Sequence, residues 1–199
     1  MHLNNMNLSK KILSWYDNNK RTLPWRINQK SRKNQYYRIL SEFMLQQTQV
    51  KTVIPFFNNF VKKIPNLKTL SKSNEKKVLK LWEGLGYYNR AKNLHKTSKI
   101  LIKKYNGQIP ESFEEIKKLP GIGDYTANIL LALIYNQPRI ALDGNVKRVL
   151  SRLFNINIEN AANLFKTKRN ADLAEALMEF GALICKPHDP RCYECKIKK

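Results

Sequence analysis

Residues 125–135, YTANILLALIY, are apolar on nearly every side of a helical wheel, and a helix of that kind has to be enclosed by other elements. Its most apolar part, residues 129–135, is far short of the roughly 20 residues that cross a bilayer. The enclosure must therefore be protein, and this segment is expected to be the central helix of a domain. The rest of the chain agrees in kind. Ala91, Leu94, Ser98, Leu101, Ile102 and Tyr105 form one stripe at helical offsets with Lys on the other face, and Gly107 is placed to end that helix. Ser112, Phe113, Glu114 and Glu115 have the serine and glutamate of a capping box, opening a short helix that Pro120 must stop. Residues 36–52 read as a helix with Leu40, Phe43, Met44 and Gln47 on related faces, interrupted by Pro55 ahead of a second amphipathic piece. Further helices are expected at 8–17, 73–82, 145–154, 159–166 and 172–183, and residues 29–35 are the candidate mobile loop. Helical spacing prevails over strand alternation throughout, so the fold class is all-α, with no fixed-period repeat and no long low-complexity linker.

A chain of 199 residues suits one domain or two small lobes. Its 37 Lys and Arg against 15 Asp and Glu leave a formal charge of +22, which points to a polyanionic partner, nucleic acid ahead of a membrane surface. Lysine is spread widely, including over solvated faces such as Lys76, Lys77 and Lys80, so a biased codon supply is the competing explanation. The N-terminus lacks the apolar core and cleavage site of a secretory signal, so an intracellular, cytoplasmic and nucleoid-associated protein is expected, without a membrane span. In a reducing compartment, Cys185, Cys192 and Cys195 favour a metal or cluster over a disulfide framework.

Leu119-Pro120-Gly121-Ile122-Gly123-Asp124 lies between the short capped helix and the buried one. Gly121 and Gly123 permit a sharp turn with positive φ, giving helix, hairpin, helix. Without side chains there, a phosphodiester can approach the backbone while the free amides of the next helix point at it. Taken alone, the same pattern also suits an ordinary corner between two helices.

That hairpin, LPGIGDYTA at residues 119–127, followed by ALDGNVKRVLSR at 141–152, resembles the signature of the helix-hairpin-helix base-excision DNA glycosylases. Within that superfamily the chain is most similar to the enzymes that act on adenine mispaired with guanine or 8-oxoguanine. LPWR at 23–26, SEFMLQQTQVKTVIPFF at 41–57, LWEGLGYYNRAKNLHK at 81–96 and the terminal cysteines carry that likeness over most of the chain. The resemblance implies a two-lobed fold: a six-helix lobe at about 30–140, a second lobe from 1–29 plus 141–184, and a cysteine loop at 185–195. It implies a monomer acting on double-stranded DNA that contains a mispair.

Breaking an N-glycosidic bond calls for a proton on the leaving base and an anion near the sugar. Glu42 lies on a helix among Leu40, Phe43, Met44 and Leu45, where desolvation would raise its pKa and keep it protonated; a solvated surface glutamate is the alternative. The resemblance implies that Glu42 protonates adenine N7 and then helps activate water. Asp143, followed by Gly144 and Asn145 at a helix entry, reads locally as a turn or N-cap residue. The resemblance implies instead that its carboxylate stabilises the oxocarbenium-like sugar, with Asn145 orienting groups around it. Two carboxyl groups in different states follow the logic of glycoside hydrolysis. Where related strand-cutting enzymes of the endonuclease III branch have a Schiff-base lysine, this chain has Tyr125, which implies a monofunctional glycosylase.

A base within a duplex is unreachable, so the nucleotide must be rotated out and the gap filled. The resemblance implies that Gln47 and Tyr87, with Leu45, Thr48 and Leu85 beside them, enter or line the distorted stack, and that Arg26 contacts the adenine pocket. For Leu45 and Leu85 core packing competes, and for Arg26 a plain surface charge. Cys185, Cys192 and Cys195 have the spacing C-x6-C-x2-C, matching the first three ligands of the family's [4Fe–4S] loop. The fourth would fall at 201, past Lys199, so zinc or free thiols remain alternatives. The C-terminal domain that recognises 8-oxoguanine in the resembling enzymes is expected to be absent. A thymine-directed mismatch glycosylase and a non-catalytic DNA-binding remnant are the competing functions.

Overall fold

The computed structural model describes residues 5–27, 31–154, 167–195 and 197; the expected helix at 159–166 lies outside the described residues. Ten helices are described: α1 (Asn5–Asn19), α2 (Arg32–Leu45), α3 (Val50–Lys63), α4 (Leu67–Lys72), α5 (Glu75–Trp82), α6 (Asn89–Tyr105), α7 (Phe113–Lys117), α8 (Asp124–Tyr135), α9 (Gly144–Phe154) and α10 (Asn170–Leu183). Among the described residues every regular element is a helix. Two compact units emerge, Thr22–Ala127 and a second made of Met1–Arg21 with Asn128–Lys199. The division falls inside α8, earlier than the boundary near 140 expected from sequence.

In the Thr22–Ala127 unit, α2 packs on α3 and α6, α3 on α5, and α4 and α5 on α6. Its centre holds Tyr36, Phe43, Phe57, Phe60 and Trp82, with Phe60 edge-on to Trp82 at 6.1 Å. The Tyr36 hydroxyl donates to the Ile64 carbonyl at 2.6 Å, so the aromatic ring is buried without an orphaned polar tip. Burial pushes the Tyr36 phenol far above its ordinary pKa.

Pro55 does not interrupt the chain where the sequence suggests; it sits within α3. Val53, Phe57 and Phe60 on that helix are fully buried, and at about 2 kcal/mol each they outweigh the roughly 3 kcal/mol cost of an interior proline. Pro55 and Lys51, whose carbonyl loses its helical donor, are both exposed, so water can take the vacant acceptor. The break comes instead at residues 46–49, between α2 and α3. Residues 31–35 are likewise less loop-like than expected. Ser31 Oγ accepts from the Asn34 N–H at 3.1 Å, capping a helix that begins at Arg32.

The Ser112 box is not made. Ser112 stands at the N-cap of α7 without a side-chain capping bond. Glu115, which should reach back to it, is taken by Lys118, the Tyr105 hydroxyl and Lys104, and these hydrogen bonds hold its carboxyl low, at about 2. By contrast α6 ends as its sequence suggests. Asn106 is left-handed, and the N–H of Gly107 donates to the Leu101 carbonyl at 2.8 Å.

In the other unit, α1 packs on α10 and α10 on α9 around Ile12, Trp15, Val149, Leu177 and Phe180. Trp15 meets Phe180 edge-on at 5.0 Å. The Tyr16 hydroxyl donates to Glu175 at 2.5 Å, and Arg21 pairs with the buried Glu179 at 2.7 Å, which accounts for two carboxylates inside an apolar interface.

Candidate functional site

Glu42 is 8% exposed, one helical turn before the end of α2 and flanked by buried Ser41, Phe43 and Met44. The helix stops after Leu45 because Gln47 takes a left-handed conformation at φ 55°. Gln47 is exposed, with half-buried Leu45 and Thr48 on either side of the turn. A second turn, between α5 and α6, carries positive φ at Gly84, Gly86 and Tyr87, the last at 49°. Its Leu85 is buried, as core packing would have it, whereas Tyr87 is 62% exposed and Tyr88 44% exposed. Gln47 and Tyr87 line one open groove of about 580 Å³ together with Gln46, Tyr88, Asn89 and Arg90.

Arg90 joins the two turns, a role that nothing in its local sequence signals. Its Nη1 donates to the carbonyls of Met44, at 2.7 Å, and Gln46, and to Thr48 Oγ1 at 3.1 Å. Its Nη2 donates to the carbonyls of Leu85 and Gly86 at 3.1 and 3.0 Å, and its Nε to that of Tyr87 at 3.4 Å. The guanidinium also lies 5.5 Å from the centre of the Trp82 ring and 5.3 Å from that of Tyr87. A left-handed non-glycine residue costs about 1–2 kcal/mol, and one charged hydrogen bond returns about 1.5–3 kcal/mol, so this fork holds both Gln47 and Tyr87 where their intrinsic preference would not. Burial lowers the Arg90 pKa, partly countered by Tyr87.

Gln46 ties the first turn to the hairpin, its side-chain amide donating to the Gly121 carbonyl at 3.2 Å. Thr97 on α6 donates to the Pro120 carbonyl at 3.0 Å. The two glycines differ from the expectation that both supply positive φ. Gly121 does, at 79°, and a Cβ there would meet Phe43 and Asn93 at 2.8 Å. Gly123 is absent from the positive-φ residues, and a Cβ there would meet nothing within 4 Å. Gly121 is thus required by packing onto α2 and α6, while Gly123 leaves its side of the backbone open. Gly121→Ala is expected to lower unfolding free energy by about 2–4 kcal/mol, combining left-handed strain with overpacking. Gly123→Ala should stay within about 0.5 kcal/mol; urea denaturation of the two variants checks the contrast. Beyond the hairpin, exposed Asp124 pairs with Lys117, and Tyr125 is half-buried on the first turn of α8. Arg26 is half-buried after buried Trp25, its N–H donating to the Leu23 carbonyl at 3.0 Å.

In the other unit, Asp143 is the N-cap of α9, accepting from the Val146 N–H at 2.7 Å and from the Asn145 amide at 3.3 Å. Both donors, with the positive end of the helix, suit a carboxylate. The local reading of Asp143 and the expected partnership with Asn145 therefore coexist. Arg148, one turn on, donates to Asn145 Oδ1 at 2.7 Å, the Gly181 carbonyl at 2.8 Å and the Cys185 carbonyl at 2.7 Å. Arg152 donates to the carbonyls of Lys186 and Pro187 at 2.6 and 3.1 Å. Two arginines on one face of α9 thus anchor the cysteine segment.

The cysteines themselves do not converge. Cys185 is buried in the apolar core with Arg152 at 3.8 Å from its sulfur, Cys192 is exposed, and Cys195 packs against the core's edge. Among the described residues, no three Cys, His, Asp or Glu side chains form a group able to hold a metal ion. A cluster of the expected type needs its thiolates brought together, which this arrangement of the described cysteines does not do. No helix among the described residues is long and apolar enough to cross a membrane.

Residues 40–173 match the family model described as HhH-GPD superfamily base excision DNA repair protein. The chain is 48% identical over 198 residues to the adenine DNA glycosylase of Buchnera aphidicola subsp. Baizongia pistaciae (strain Bp), with 94% of this chain and 55% of that protein covered. It is 35% identical to the adenine DNA glycosylase of Homo sapiens, covering 94% of this chain and 37% of that one. The chain spans about half the length of the bacterial relative it matches. Among solved structures, a thermostable thymine-DNA glycosylase superposes with a TM-score of 0.85 at 26% identity, covering 98% of this chain and 93% of that one. A non-covalent endonuclease III–DNA complex gives 0.76 at 21% identity over 98% and 94%, a likeness of fold.

Proposed function

This chain belongs to the HhH-GPD superfamily of base excision DNA repair proteins, and we propose that it hydrolyses the N-glycosidic bond of adenine mispaired with guanine or 8-oxoguanine in double-stranded DNA. The relatives named adenine DNA glycosylase, from bacteria to man, support the choice of base. The observation that carries the reading is Glu42, a carboxyl group shielded from water one helical turn from the exposed turn at Gln47.

The Glu42 carboxyl donates its proton to adenine N7, and the C1′–N9 bond breaks with its electron pair leaving on the purine. The carboxylate of Asp143 stabilises the oxocarbenium-like sugar. Water adds to C1′ and gives its proton to the Glu42 carboxylate, leaving free adenine and an abasic site. Tyr125 stands near the sugar and offers no amine, so the strand stays intact. Gly121 and Gly123, with the first amides of α8, receive a phosphate; Arg26 contacts the extruded base; Gln47 and Tyr87, supported by Leu45, Thr48 and Leu85, occupy the opened stack. Cluster assembly on Cys185, Cys192 and Cys195 would require their thiolates to be drawn together; no step of the reaction uses it.

A second reading, excision of mispaired thymine, is favoured by the 0.85 superposition on a thymine-DNA glycosylase. Thymine has no N7, so Glu42 separates the two. Duplexes carrying A·8-oxoguanine, A·G, and T·G, incubated with the protein and then cleaved with alkali at abasic sites, test the proposal directly. Cleavage is expected at adenine in the first two and not at thymine in the third. Cleavage at thymine alone, or at neither base, overturns it.

A further inference from the structure

The groove at Gln47 and Tyr87 is held together by one of its own lining residues, which takes no part in the proposed reaction. We infer that Arg90 is a positioning residue for base extrusion: it locks the two left-handed turns together, so that Gln47 and Tyr87 enter the duplex as one preformed wedge. The inference rests on the reading of those two residues as the ones that fill the opened stack.

Gln47 and Tyr87 are forty residues apart, on turns that join different pairs of helices, and both hold a backbone conformation that non-glycine residues rarely adopt. Neither glutamine nor tyrosine has an intrinsic preference for it. The Arg90 fork holds them there, with Nη1 on the first turn and Nη2 and Nε on the second. The Arg90 side chain is 7% exposed as part of the buried polar core, while Gln47 and Tyr87 face solvent above it. A wedge that is ordered before DNA arrives does not lose conformational freedom when the base comes out, so its binding energy is available for unstacking. Lysine cannot replace this arrangement, because one ammonium has three donors on a single nitrogen and cannot reach both turns.

The test uses Arg90→Lys in the full chain, with three readouts on the same mispaired duplex. A 2-aminopurine placed beside the target adenine reports unstacking, single-turnover excision at saturating protein reports chemistry, and fluorescence anisotropy with an unmispaired duplex reports general binding. The expected result is a loss of unstacking signal and a fall of about 10- to 100-fold in excision, moving together. Binding to the unmispaired duplex should change by less than about two-fold, since it depends on phosphate contacts elsewhere. Thr48→Val removes one acceptor of the fork and should give the same pattern on a smaller scale, which keeps the test decisive where Arg90→Lys is too unstable to assay. Wild-type unstacking and excision in both variants overturns the inference. So does a fall in excision with unstacking intact, or an equal fall in general binding, which a collapsed fold would produce. Absence of excision by the unaltered protein overturns the adenine reading instead, and is told apart by that control.

Discussion

Glu42→Gln is expected to lower single-turnover excision of adenine by about 10²- to 10⁴-fold, the range removed with a general acid, while leaving DNA affinity close to that of the unaltered protein. The argument is one of shape against proton. Glutamine has the size and planarity of glutamic acid, and Glu42 sits on α2 among buried Ser41, Phe43 and Met44, where the helix is held by its apolar neighbours. What the amide cannot do is give a proton to N7, and an unprotonated adenine is a poor leaving group. The measurement is quench-flow excision with protein in excess, beside a binding isotherm on the same duplex. Unchanged excision would falsify the role of Glu42. A parallel loss of affinity and rate would move it from proton donor to structural support. On a T·G duplex neither the unaltered protein nor Glu42→Gln should release the base, because the pyrimidine has no N7 to take that proton.

What could be read from sequence divides along the range of the interactions involved. The α6 helix and its end were legible because the apolar stripe, Asn106 and Gly107 act within a few residues of one another. The buried α8 was legible because five successive residues, Ile129, Leu130, Leu131, Ala132 and Leu133, leave no polar side to face water. The end of α2 was not, since Gln47 has no intrinsic liking for a left-handed backbone and is held by Arg90, more than forty residues away. Pro55 misled for the complementary reason: a local rule against proline yields to three buried side chains on the opposite face of α3. Ser112 shows a local rule losing to a distant competitor, with Tyr105 and two lysines claiming Glu115. The short α4, capped by Asn66 accepting from the Thr69 N–H at 2.8 Å, has only six residues and too little periodicity to announce itself.

The candidate site follows the same division. Spacing showed Asp143 as a helix cap, and the structure has it capping; only the resemblance gave it chemistry. The roles of Gln47 and Tyr87 likewise came from resemblance, while their shared groove and its support by Arg90 needed three-dimensional contacts. The cysteines mark the opposite case. Their spacing suggests a ligand set, yet the same core that orders α9 and α10 draws Cys185 inward and leaves Cys192 in solvent.

Asp143 caps α9 and is proposed to stabilise the sugar cation as well, and substitution can separate the two. Asp143→Asn keeps an oxygen able to accept from the Val146 N–H, and asparagine caps helices about as well as aspartate. Its stability should therefore fall by less than about 1 kcal/mol, a shift of only about 2–4 °C in Tm. Its excision rate should fall by about 10²- to 10³-fold, the scale seen when one preorganised electrostatic stabiliser of a transition state is removed. Asp143→Ala loses the same charge and the cap as well, so its activity should match that of the asparagine variant while its stability drops by about a further 1 kcal/mol. Thermal melts and single-turnover excision on the same preparations give both coordinates. The charge assignment requires the two variants to be equally slow and unequally stable. If instead activity tracked stability across the pair, with Asp143→Asn nearly as fast as the unaltered protein, the cap would be the whole of the role of Asp143, and the sugar cation would have to find its counter-charge elsewhere.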